Sequence, residues 1–105
     1  MDIPVGSLLG GYRVLDISTE MGAFCGKVLR DLGLDVIKIE SPGGDPLRGH
    51  PPFAEGHNNP EGSLRFAYLN AGKQGITLDL EQPEGRKMLL KLVEQADVVL
   101  DSNDP

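Results

Sequence analysis

Residues 12–40, YRVLDISTEMGAFCGKVLRDLGLDVIKIE, read as strand, helix and strand with little between them. Val14, Leu15 and Ile17 form a short apolar run that stops at Ser18 and Thr19, both good helix N-caps, with Glu20 in the first turn. Met21, Phe24, Cys25, Val28, Leu29 and Leu32 recur at spacings of three and four. This predicts a helix that buries those residues and turns Lys27, Arg30 and Asp31 to solvent. Gly33 is placed to end it as the residue just past the cap. Val36, Ile37 and Ile39 make a second β-branched run, so the unit predicts a right-handed βαβ crossover with parallel strands.

The remainder reads as additions to that unit. Residues 41–63, SPGGDPLRGHPPFAEGHNNPEGS, are rich in Pro and Gly and lack apolar periodicity, which predicts a long loop of the kind that covers a ligand or meets a partner. Residues 64–70 (LRFAYLN) recover strand or short-helix character, AGKQG turns the chain, and residues 76–80 (ITLDL) alternate as a half-buried strand does. Pro83 suits the first position of a second long helix, with Met88, Leu89, Leu92, Val93 and Ala96 as its buried stripe. Residues 97–101 (DVVLD) form a further strand. A βα series that breaks off there leaves one face of the sheet without its next helix, so the chain reads as the N-terminal piece of something longer. The expected fold is α/β: a Rossmann-like parallel sheet with flanking helices, incomplete, spanning 1–105 as the N-terminal part of a large domain.

With 16 acidic and 10 basic side chains the net charge is −6, which argues against general binding to nucleic acid and leaves any anionic ligand to local donors. No apolar run approaches the roughly 20 residues of a membrane span, and MDIPVGSLLGG lacks the basic start of a signal peptide. One cysteine cannot form an internal disulfide, so a cytoplasmic or other reducing compartment is the default.

Glu40 ends the second strand where an acid would hold a ribose hydroxyl in a dinucleotide site. The first turn opposes that reading, because D-I-S-T-E-M-G lacks the glycines that let a pyrophosphate approach the backbone; Gly22 and Gly26 lie inside the helix and suit close packing on the sheet. Gly43, Gly44, Asp45 and Pro46 with Arg48 are a candidate backbone anion nest, and Asn70, Ala71, Gly72 and Lys73 a second, against the plain reading of both as turns. His50 and His57 lack companions at metal-ligand spacing, and Cys25 reads as a core residue. No Ser-His-Asp order, G-x-S-x-G elbow or H-E-x-x-H motif is present.

GYRVLDIS, FCGKVLRDLGLDVIKIESPGGDPLRG and LNAGKQGITLDLEQPEGRKMLLKLVEQADVVLD together resemble the N-terminal part of the family III CoA-transferases, the group of formyl-CoA and carnitine CoA-transferases that includes α-methylacyl-CoA racemase. The resemblance spans residues 10–101. It implies a Rossmann-like large domain, a smaller domain and an interlocked homodimer for the full-length protein. It also implies CoA as a substrate, acyl-CoA and a carboxylic acid as partners, and no metal, membrane or nucleic acid.

Carried over residue by residue, the family's CoA contacts fall on Glu20 and Met21, on Ser41, on Asn70, Ala71, Gly72 and Lys73, and on Ser102, Asn103 and Asp104. The family often has Gln at Glu20 and Arg at Ser41, and its usual E-N-F-R-P-G is here Asp101, Ser102, Asn103, Asp104 and Pro105. The acid at 104 should repel a CoA phosphate. The resemblance further implies an aspartate that attacks the acyl-CoA thioester and passes through a mixed anhydride to an aspartyl-CoA thioester. That nucleophile lies beyond residue 105 in the family, so no catalytic residue is assigned here. Alternatives are an acyl-CoA racemase of the same family and a non-catalytic nucleotide-binding or interaction module.

Overall fold

The apolar run after Tyr12 becomes strand β1 (Arg13–Asp16), and its neighbour in the sheet is β2 (Asp35–Glu40), with Val14 opposite Val36 and Leu15 opposite Ile37. The computed structural model describes residues 10–55 and 61–103. Helix α1 (Glu20–Asp31) joins the two strands. It ends as the sequence predicts: Gly33 has φ 102°, its N–H donates to the Arg30 carbonyl at 3.0 Å, and the Leu34 N–H reaches the Leu29 carbonyl at 3.1 Å. These are the paired bonds of a Schellman cap. Leu29 and Leu34 also pack in the same apolar cluster.

A short helix α2 (Leu64–Leu69), strand β3 (Gln74–Thr77), helix α3 (Pro83–Glu94) and strand β4 (Val98–Leu100) complete the described chain. All strand pairs are parallel and the order is β3-β2-β1-β4. This is the order of the first four strands of a Rossmann-type sheet. The two faces carry separate cores. Val14, Leu34 and Val36 pack with Leu29 of α1, and Leu15, Ile37 and Ile39 pack with Leu89 and Leu92 of α3. Burial on both faces explains why β2 reads as a nearly continuous apolar run.

Four expectations need correction, the first being the strand expected at 76–80, which instead runs over Gln74–Thr77. α1 buries Ala23 and Gly26, whereas Met21 is 88% and Phe24 59% exposed, and Cys25 and Val28 are exposed too. The small residues face the sheet because the space beneath them is taken by side chains from β1 and from the turn before β3. In α3, Leu89 and Leu92 pack inward while Met88 and Val93 face out. Finally, 41–63 is not a featureless loop. Pro46–Gly49 form a 3-10 turn with Leu47 buried, and the segment returns beside itself, with the Ala54 N–H donating to the Gly62 carbonyl at 2.7 Å. Ser63 Oγ then caps α2 by accepting from the Phe66 N–H.

Candidate functional site

β1 lies between β2 and β4, where the strand order reverses, and ligands of doubly wound sheets bind at the carboxyl ends of strands at such a point. A cleft of about 480 Å³ opens there, within the range of small-molecule sites. One wall is the turn between β1 and α1, with Ile17, Ser18 and Thr19; the other is the Gly/Pro loop, with Ser41, Gly44, Asp45 and Pro46. Residues 78–81 after β3 and Asn103 after β4 close its ends.

The first wall has its backbone held by side chains from several elements. The Ile17 carbonyl accepts from Asn103 Nδ2 at 3.1 Å, and the Thr19 N–H donates to Ser102 Oγ at 2.9 Å. Ser18 donates its N–H to Asp16 Oδ1 at 3.0 Å and its hydroxyl to the same oxygen. The Ser18 carbonyl accepts from Lys38 Nζ at 2.6 Å. Ser18 therefore ties down the turn without capping α1, and neither it nor Thr19 supplies the side-chain cap the sequence predicted.

Three ion pairs surround this end of the sheet. Lys73 Nζ lies 2.9 Å from Asp16 Oδ2, with side-chain exposures of 1% and 0%. The same ammonium donates to Asn70 Oδ1 at 2.8 Å and to the Ala23 carbonyl at 3.2 Å. Gly26 makes the arrangement possible, since a Cβ there would sit 2.6 Å from Asp16 Oδ2 and 2.8 Å from Lys73 Nζ. Lys38 pairs with Asp45 at 2.6 Å, both side chains again buried. Arg48 Nε and Nη2 each donate to the Glu40 carboxylate at 2.7 Å, and the Asp45 N–H adds a bond of 2.8 Å. The Arg48 hydrogen bond outweighs desolvation and holds the Glu40 carboxyl below the usual glutamate range, while Glu40 raises Arg48 further.

These pairs decide what the candidate nests do. In the Gly43–Pro46 turn one backbone N–H, that of Asp45, donates to the Glu40 carboxylate, while the Gly44 N–H donates to the Ser41 carbonyl as in an ordinary turn. In the second nest Ala71 and Gly72 are exposed and Asn70 is buried. Lys73, expected to face a ligand phosphate, instead turns its ammonium into the molecule.

The profile of CoA-transferase family III matches residues 9–105. The chain belongs to the family III CoA-transferases. The succinyl-CoA:(R)-benzylsuccinate CoA-transferase subunit BbsE of Thauera aromatica is 39% identical over 96% of this chain and 25% of its own length. The succinyl-CoA:mesaconate CoA-transferase of Haloarcula hispanica is 41% identical over 90% of this chain and 24% of its own. Among solved structures, a CAIB/BAIF family protein from Brucella suis superposes with a TM-score of 0.79 at 41% identity, over 90% of this chain and 25% of that one. The chain thus spans about a quarter of the length of the curated relatives it matches.

In this family III CoA-transferase chain the cleft brings together Ser41 and Asn103 of the residues singled out by resemblance, with Ser102 just behind them holding Thr19. Glu20 and Met21 start α1 on its outer side, where Glu20 accepts from Arg65 Nη2 at 2.9 Å. Asp104 lies outside the described residues. The sequence alone singles out neither Asp16 nor Lys38, and it marks Asp45 only as part of a backbone turn, not as the buried partner of Lys38. The available signal was a lysine inside the apolar run VIKIE, a position that burial penalises unless a partner charge is supplied.

Proposed function

We propose that this chain forms the nucleotide-binding part of an enzyme that moves CoA from an acyl-CoA thioester to a carboxylic acid. The match to the family over residues 9–105, together with relatives named as CoA-transferases, carries the reading. The cleft at the strand ends supports it. CoA contacts are assigned to Ser41 and Asn103 in the cleft, to the backbone at Glu20 and Met21, and to the exposed Ala71 and Gly72. Asn70 and Lys73 shape that turn from beneath, and Ser102 holds Thr19.

In the proposed reaction an aspartate carboxylate from the remainder of the enzyme attacks the thioester carbonyl. The C–S bond breaks and CoA thiolate leaves a mixed anhydride; the thiolate then attacks the aspartyl carbonyl and releases the donor acid. The acceptor carboxylate repeats the two steps in reverse and departs as the new thioester. Succinyl-CoA is the first donor to try, since the relatives from Thauera and Haloarcula carry it in their names. The full-length enzyme incubated with succinyl-CoA and a panel of dicarboxylic acids should form new acyl-CoA species, read by mass spectrometry. With donor alone the protein should gain the mass of CoA less one water and lose it when acceptor is added. Solvent deuterium entering the carbon beside the thioester, with no acceptor required, would point to racemase chemistry instead.

A further inference from the structure

Lys38 joins the two walls of the cleft through one ammonium. Its Nζ donates to the Ser18 carbonyl of the β1–α1 turn at 2.6 Å and pairs at 2.6 Å with Asp45 Oδ2 of the Gly/Pro loop. The other oxygen of Asp45 accepts from the Leu47 N–H at 2.8 Å, so the loop is fixed to the same carboxylate that meets the lysine. Side-chain exposure is 3% for Lys38 and 2% for Asp45. On the same face of β2, Val36 is a plain core residue, and an apolar side chain at 38 would serve stability as well. Buried ion pairs are on balance no more stabilising than well-packed apolar groups, and their better attested use is to fix one geometry among several.

We propose that Lys38 is a positioning residue: by binding Ser18 and Asp45 at once it sets the spacing of the cleft walls, and with it the affinity for the nucleotide end of CoA, without touching the ligand. This rests on the proposed CoA-transferase reading. The test is a Lys38→Met, Asp45→Asn double variant of the full-length enzyme, which leaves no buried carboxylate unpaired and keeps an acceptor for the Leu47 N–H. Amide hydrogen exchange should quicken both at Ser18 and Thr19 and at residues 44–47, and CoA measured by calorimetry should bind about tenfold more weakly, the equivalent of one modest polar contact. Exchange that quickens in only one wall, or in neither, overturns the proposal. So does unchanged CoA affinity in a variant whose two walls have both loosened. If the parent enzyme binds no CoA, the functional reading fails, and the exchange data still decide whether Lys38 couples the walls. Should the double variant not fold, Asp45→Asn alone serves. It should loosen 44–47, leave Ser18 and Thr19 protected and weaken CoA binding, and unchanged affinity there counts against the role.

Discussion

The Lys73 ammonium satisfies Asp16, Asn70 and the Ala23 carbonyl at once, so its loss strands a buried carboxylate. Lys73→Ala should cost about 3–5 kcal/mol of stability, and the loss measured by urea unfolding should change little with salt, because buried pairs are poorly screened. A solvent-facing phosphate ligand would behave the other way, with near-normal stability and a binding defect that shrinks in high salt. The N-x-x-K spacing made the proximity of Asn70 and Lys73 legible in the sequence. The direction of the ammonium was not, because it depends on Asp16 and Gly26, which are far away in the chain and meet Lys73 only in the fold. Glu40 offers a second test. Its carboxyl is held low by Arg48, so the pair stabilises the folded state above the ordinary glutamate value, and this contribution is lost as the pH falls through the lowered one. Thermal midpoints of the parent and Arg48→Gln should therefore differ most near neutral pH and converge as the pH drops below about 4. The gap should not vanish, since Arg48 also lies 3.9 Å from the centre of the Phe66 ring. A gap that is constant with pH would detach the stability of the loop from this carboxylate.

At the scale of elements, the parallel strands, both long helices and the glycine that ends α1 were readable because each rests on local chemistry: β-branched runs, 3.6-residue periodicity and the left-handed cap at Gly33. The face of α1 was not. Periodicity finds an apolar stripe but not the surface it meets, and here the sheet beneath the first turns of α1 carries Asp16 with Lys73 above it, leaving room only for Ala23 and Gly26. β3 shifted for a related reason. Its pairing with β2 begins at Gln74, opposite Ile37, two residues before the apolar alternation that marks it in the sequence. The close approach at Gly26 can be measured. Alanine is the better helix former by about 1 kcal/mol, so an unconstrained Gly26→Ala would stabilise α1. The added methyl would instead press on the Asp16 carboxylate and the Lys73 ammonium, neither of which has free space, and we expect a net loss of roughly 1–3 kcal/mol in chemical denaturation. A gain in stability would show that the ion pair shifts aside without cost.

At the scale of the whole molecule, large apolar side chains remain on the outside of every layer: Met21 and Phe24 on α1, Tyr68 on α2, Leu90 on α3 and Val99 on β4. The curated relatives are about four times as long as this chain. We predict that residues 1–105 alone carry out no CoA transfer. Attack on a thioester needs a carboxylate that is free to approach the carbonyl, and the described aspartates near the cleft are engaged. Asp16 is bound to Lys73 and Ser18, Asp45 to Lys38 and the Leu47 N–H, and Asp79 and Asp101 accept from backbone N–H groups of their own turns. A cleft open to solvent would also expose a mixed anhydride to hydrolysis, and the positioning that makes acyl exchange fast would be missing. The purified segment incubated with succinyl-CoA and carboxylic acids should therefore give no new acyl-CoA by mass spectrometry. Turnover that survives both Asp45→Ala and Asp101→Ala would require a nucleophile outside this set. Turnover abolished by Asp101→Ala, in a variant that keeps its fold, would make that exposed carboxylate at the end of β4 the attacking group.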